Sequence, residues 1–435
     1  VFTTLDPAAP IRDLAVWIEA LPLPEQAEPW AVLGEYPSYV ALAGRYTVPL
    51  IQSGERPYAE EGEGRIVFDD AGLPVIQEEQ DVRLALSIPR GPMPDAGWPL
   101  LIYQHGSGGN WRQALDRGPV DEVAGGSPEE GMGPAEWLAR RGVATVAFDY
   151  PLHGDRNDPP DTSGLLLYNL LGNIDATIDN FRWAALEPML LSRFMLANRV
   201  DPALHADLDA GGAEALSFDP ARLTTMGQSM GTTLGVTQAT VDPRVRGAVF
   251  SGAGGVLVEI AESAVEPFEI RPILAGRLGL ATDELTQAHP LLHAFQHLWD
   301  LVDPIAQARY VVDEPHPGVP PKHVLMTAGV RDGYFHPRSE AAMATALGVP
   351  LVGEEVEPIL PDTLRLAGLE TLDYPLAGNL GGRTAAVVQY AAENIQGHYV
   401  AFNQEGARYQ YTCFVASLGV AALLPGPDAL DAPCP

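Results

Sequence analysis

Gly227-Gln228-Ser229-Met230-Gly231 is the segment of this chain best suited to covalent chemistry. A serine with glycine two residues away on each side can occupy a strained turn between strand and helix, because such small neighbours let the two elements approach. A β-rich apolar run at 223–226 precedes the serine, and a helical stretch at 229–240 follows it. This context marks Ser229 as a candidate nucleophile for acyl transfer; the alternative is a purely structural glycine-rich turn.

A serine hydroxyl is a poor nucleophile near neutral pH. It needs a base within hydrogen-bond reach and a third group to orient that base. One recurring chain order is serine, then acid, then histidine. Downstream of Ser229 stand His289, His293, His297, His316, His323, His336 and His398. Only His398 follows the last strand-like run and opens the final helical stretch, where Gly397 gives the loop freedom to aim the ring. A satisfied structural histidine is the alternative. Asp332, in Gly329-Val330-Arg331-Asp332-Gly333, ends the preceding strand-like run and is the expected acid. Asp303 precedes Pro304 and reads as a cap, whereas Asp373 sits in a loop before the last strand. His289, His293 and His297 stand at helical spacing with no cysteine or acidic cluster beside them, so they read as helix-surface or cap residues. No metal and no cofactor are expected.

Acyl transfer also needs backbone N–H donors that already point at the developing negative charge. The run Gln104-His105-Gly106-Ser107-Gly108-Gly109, directly after a strand-like segment at 99–103, suits that role. The expected donors are the backbone N–H groups of Ser107 and Met230. A phosphate-binding loop is the competing reading, but no G-K-[ST] follows. His153, in the later run Asp149 to Arg156, precedes the serine and reads as a loop brace.

The elements that must position these residues follow from periodicity. Residues 81–88 alternate as a half-buried antiparallel strand should. From about residue 98, short apolar runs at 99–103, 143–148, 223–226, 245–250, 323–327 and 384–390 alternate with helical stretches at 134–141, 229–240, 339–347 and 399–420. Strand, helix, strand in repetition implies an α/β fold with a mostly parallel sheet flanked by helices. The expected organisation is an N-terminal extension, 1–95, whose antiparallel strands join the sheet, followed by a catalytic domain, 96–435. Cap-like insertions are expected near 152–220 and 254–318. The apolar run 165–171 reads equally as an acyl-binding element or as a core helix.

Composition bounds the partners. Formal charge is −31, and Lys322 is the only lysine. Such a surface repels phosphate backbones and anionic headgroups, so nucleic acid is not expected. No apolar run is long enough to span a bilayer. The chain begins at Val1 rather than methionine, from which loss of an upstream leader is expected.

Taken together, residues 45–417 resemble bacterial extracellular lipases and esterases of the α/β-hydrolase superfamily, particularly the virulence-factor lipase type. The likeness runs through Gly62 to Phe68, Tyr103-Gln104-His105-Gly106, Asp179-Asn180-Phe181-Arg182, the Ser229 turn, Val302-Asp303-Pro304-Ile305, Asp332 with Leu347-Gly348-Val349-Pro350, and Gly397-His398. Gln228 stands where those relatives more often carry histidine. The resemblance implies an exported enzyme (secreted, periplasmic or lipoprotein-anchored) that cleaves small-molecule or polymeric carboxylic esters without a cofactor. A serine peptidase or amidase on the same fold, or a non-catalytic binding protein, are the competing readings. In an exported chain the two cysteines, Cys413 and Cys434, are expected to form a disulfide.

Overall fold

Alternation along the strand Tyr39–Leu50 lays out the first layer of the molecule. Successive side chains of a strand point to opposite faces. Tyr39 and Ala41 pack with Ala135 and Ala139 of the helix Pro134–Ala139 on one face. Tyr46, of opposite parity, stacks on Phe194 of the helix Ile174–Ala197 at 5.3 Å. Both faces are therefore covered, as the apolar character of the strands requires.

The computed structural model describes residues 6–120, 127–157, 159–160, 163–169, 173–392 and 396–435, and divides into two units. The serine-bearing unit comprises Ala9–Pro119 and Pro128–Gly247; the histidine-bearing unit comprises Val1–Ala8, Val120–Ser127 and Ala248–Pro435. The strand Val245–Ser251 carries the division.

In the serine-bearing unit the strands lie in the order Gln26–Glu35, Tyr39–Leu50, Glu78–Pro89, Ala144–Phe148, Trp98–Gln104, Phe218–Gln228. The first three pairings are antiparallel and the last two parallel. In the histidine-bearing unit, His323–Gly329 runs parallel to Ala385–Tyr390, from Val324 opposite Ala385 to Gly329 opposite Tyr390. Parallel strands joined through helices, bordered by an antiparallel edge and carrying a serine at a strand-to-helix turn, form an α/β-hydrolase fold. Three strands of residues 1–95, Gln26–Glu35, Tyr39–Leu50 and Glu78–Pro89, continue the serine-bearing sheet, whereas Gly91–Pro92 pairs with Leu208–Asp209 in a small separate sheet.

Two elements go beyond the sequence expectation. Gln26–Glu35 is a strand that the sequence analysis did not identify, and it contains Pro29. It lies at the edge of the ladder, where a missing N–H is tolerated and charge discourages further pairing. Ile174–Ala197, within the expected insertion 152–220, is one unbroken helix that runs through Pro188. Its Glu187 forms a fully buried bidentate pair with Arg156, at 2.5 and 2.8 Å, so the helix is anchored next to the proline.

Of the apolar run 165–171, residues 165–169 form turns rather than a helix. Leu165 is half exposed and Leu167 fully buried, whereas Leu170 and Leu171 lie outside the described residues. Lys322 is fully buried just before the strand His323–Gly329. Among the described residues no helix is long and apolar enough to cross a membrane.

Cys413, in the helix Glu405–Ser417, is bonded to Cys434 and ties the terminal tail to that helix. Closing a loop of this size contributes about 3 kcal/mol in the chain-entropy model. Paired Cys413→Ala and Cys434→Ala substitution should lower the melting temperature by roughly 3 °C, given the entropy of unfolding a chain of this length. Differential scanning calorimetry under non-reducing conditions measures this, and an unchanged midpoint would contradict it.

Candidate active site

The serine half of the site is built on backbone contact. Ser229 sits between the strand Phe218–Gln228 and the helix Met230–Val241 with φ 56° and ψ −121°, a strained conformation for a residue with a side chain. Its carbonyl accepts N–H bonds from Thr232 (2.8 Å) and Thr233 (3.1 Å), which locks the turn into the helix. A Cβ at Gly227 would lie 2.5 Å from the carbonyl oxygen of Gly231, and one at Gly231 would lie 2.1 Å from that of Gln104. Both glycines are therefore required by close approach.

The loop following the strand Trp98–Gln104 abuts this turn. A Cβ placed on Gly106 would stand 3.1 Å from Cβ of Ser229. The carbonyl of Gly106 is held by two donors, Nδ1 of His105 at 2.8 Å and the N–H of Gly109 at 2.9 Å. That carbonyl and the N–H of Ser107 belong to one planar trans peptide and point in opposite directions. Anchoring the first therefore aims the second. Neither the N–H of Ser107 nor that of Met230 has an acceptor among the described residues. The latter is one of the orphan donors of a helix N-terminus. The Ser107 side chain instead bonds Tyr168, Oγ to Oη at 2.7 Å.

His105 is neutral, with one ring nitrogen on each side of the loop. Burial, then the neighbouring His153, holds it well below the usual histidine range. Its Nε2 accepts the N–H of Tyr150 at 3.0 Å, which fixes Nδ1 as the protonated nitrogen. His153 bonds the carbonyl of Pro151 and packs against His105 with centroids 5.0 Å apart, bracing the loop. Gln104 extends the network to Thr225 and Gln238 through its amide nitrogen and to Tyr150 through its oxygen.

The histidine half rests on a second glycine contact. A Cβ on Gly329, at the end of its strand, would lie 2.0 Å from the carbonyl oxygen of Gly397, and one on Gly397 would lie 2.4 Å from that of Gly329. Gly397 has no positive φ, so its role is close approach rather than the loop freedom expected from sequence. The contact brings Asp332 and His398 together, Oδ2 to Nδ1 at 2.7 Å. The other oxygen of Asp332 accepts the N–H groups of Tyr334 and Phe335, each at 2.8 Å. Both side chains are only 1% exposed, which leaves the carboxylate shielded from competing water.

The competing acids lie elsewhere. Asp303 is fully buried and caps the helix Pro304–Gln307 through the N–H of Ile305. It also accepts the N–H groups of Val256 and Leu257 and the amide of Gln296. Val256 has φ 62°, strained for a β-branched residue, and Asp303 holds it there. Asp373 is exposed. His289 caps the helix Pro290–Trp299, and His293 and His297 lie exposed on that helix. Among the described residues one group has metal-ligand proximity, Glu35, His205 and Asp207, which the sequence did not suggest. Its two carboxylates are already paired with Arg90.

The structure thus joins Asp332 to His398 in one unit and the Ser107 loop to Ser229 and Met230 in the other. Sequence reasoning gave no role to His105, Asp149, Tyr168 or Tyr334. Only the position of His105 in the Gly-rich loop was a signal.

No family model and no curated protein matches the chain. Solved structures similar to it include acetyl xylan esterase 1 from Thermoanaerobacterium sp. JW/SL YS485, 14% identical, covering 89% of each chain with TM-score 0.44. An acetyl xylan esterase from Paenibacillus sp. R4 is 14% identical over 92% of this chain and 94% of its own, with TM-score 0.47. A CE15 glucuronoyl esterase from Teredinibacter turnerae T7901 is 13% identical over 91% of this chain and 78% of its own, with TM-score 0.43.

Asp149 supplies a pH signature. Its carboxylate accepts the N–H of Trp111 at 2.7 Å, yet burial pushes it up to about 6 against that bond and the nearby Arg156. A carboxyl raised in the fold binds its proton more tightly there than when unfolded, so stability falls as pH rises from about 4 to about 6. Asp149→Asn should remove that decline and raise stability at pH 7 by up to roughly 3 kcal/mol, two pH units of linkage. Urea unfolding of both proteins between pH 4 and 7 measures it; a variant with the wild-type slope would refute it.

Proposed function

We propose that this chain is a serine hydrolase that cleaves carboxylic esters through an acyl-enzyme intermediate. The observation that carries this reading is the strained Ser229 turn, with the two unengaged N–H groups of Ser107 and Met230 beside it. In the proposed reaction the Ser229 oxygen attacks the acyl carbon and its proton passes to Nε2 of His398. Ser107 and Met230 stabilise the oxyanion. The imidazolium then protonates the leaving alkoxide, and water repeats the sequence to release the acid. Asp332 fixes the tautomer of His398 and stabilises its cationic form. The buried Asp332–His398 pair supports those roles.

A lipase-like preference for water-insoluble esters is favoured by one specific feature. Val265, Phe268, Ile273, Leu291 and Leu298, all within the insertion 254–318, expose large apolar side chains. Export into an oxidising compartment is in keeping with the Cys413–Cys434 bond.

Rates on p-nitrophenyl esters of increasing acyl length, with a peptide p-nitroanilide in parallel, test the reaction class. Faster turnover of the anilide would replace the esterase reading with a peptidase. Ser229→Ala should leave a folded protein with at most a few per cent of wild-type activity. Asp332→Asn should lose about two to four orders of magnitude in turnover. Asp303→Asn should lower the melting temperature while turnover stays within about tenfold, because its carboxylate holds backbone N–H groups. A crippled Asp303→Asn beside a near-normal Asp332→Asn would reassign the acid.

A further inference from the structure

A hydrogen bond at one nitrogen leaves an imidazole free to tilt. In the histidine-bearing unit that freedom is removed by aromatic rings. Tyr334 lies across a face of His398, centroids 4.3 Å apart and planes 27° from parallel. Tyr399 meets the ring edge-on at 5.1 Å, and Phe335 leans against it at 5.4 Å.

Tyr334 is fixed at both ends. Its N–H donates to Asp332, the carboxylate that holds His398, and its phenol oxygen accepts the hydroxyl of Tyr399 at 3.2 Å. The carbonyl of the preceding Gly333 accepts the N–H groups of Val265 and Glu266 at 2.8 and 3.0 Å. One residue therefore couples the acid, the imidazole plane and the neighbouring backbone.

We propose that Tyr334 is a positioning residue for hydrolysis, whose ring sets the tilt of the His398 imidazole and hence the direction in which Nε2 accepts a proton. This rests on His398 acting as the general base. The ring rather than the hydroxyl carries the role, since the hydroxyl is engaged with Tyr399 and lies at the far end from the carboxylate. The same π face favours a cation, so the contact strengthens as the imidazole takes up its proton.

The experiment compares Tyr334→Phe, Tyr334→Ala, Tyr334→Leu and His398→Ala on p-nitrophenyl acetate, with melting temperatures measured in parallel. The far-downfield proton resonance of the His398–Asp332 bond is followed by NMR. Tyr334→Phe should keep kcat within about threefold, whereas Ala and Leu should lower it roughly 10- to 100-fold with KM within about twofold, the scale of a misplaced catalytic group. The downfield resonance should persist with Phe and broaden with Ala and Leu. Wild-type kcat in a folded Ala or Leu variant overturns the proposal, and so does a Phe variant as slow as Ala. Appreciable activity in His398→Ala overturns the base assignment instead, whatever Tyr334 does.

Discussion

Two of the close backbone contacts in this protein, each leaving no room for a Cβ, hold the elements that carry Ser229 and His398. At Gly227 and Gly231 the strand, the helix and the loop after Gln104 converge until carbonyl oxygens lie where side chains would start. At Gly329 and Gly397 the end of one strand meets the turn that carries His398. Neither contact is a matter of turn flexibility. Each sets how closely the joined elements approach, because a single methyl group would push them apart by more than a hydrogen bond tolerates. The strain at Ser229 depends on the first contact, and the 2.7 Å bond of His398 to Asp332 depends on the second.

Around the first contact lies a polar network that is buried and satisfied. Gln104 bridges Thr225, Gln238 and Tyr150, while His105 bridges Gly106 and Tyr150. In a low-dielectric interior such bonds are strong, and leaving any one unmade is costly. The loop therefore has little choice of conformation. Its carbonyl at Gly106 is anchored by two donors, and the planar peptide fixes the direction of the Ser107 N–H with it.

Much of this was legible in the sequence, and for physical reasons. Buried parallel strands must be apolar on both faces, so the runs at 99–103, 143–148 and 323–327 stood out and lie within a residue or two of the strands Trp98–Gln104, Ala144–Phe148 and His323–Gly329. Ser229 and its glycines are local in the chain and could be read together. The cap role of Asp303 followed from the proline after it. What was hidden depends on distance in the fold rather than along the chain. Gln26–Glu35 is a strand because a partner offers it an edge, and Ile174–Ala197 passes through Pro188 because Glu187 is clamped by Arg156. Tyr334 looks like any aromatic residue in a turn until His398, 64 positions later, is stacked on it. The raised carboxyl of Asp149 arises from burial beneath a loop that starts far earlier in the chain.

The burial of Lys322 has a practical side. With the chain's one lysine enclosed, every exposed basic side chain other than histidine is an arginine. A guanidinium stays protonated across the whole accessible pH range, so apart from histidine the basic side chains of the surface keep their charge. Reagents that seek primary amines, such as succinimidyl esters or glutaraldehyde, find no side-chain amine on the folded surface. Side-chain attachment to a support or a dye is better directed at the carboxylates, which the molecule carries in excess.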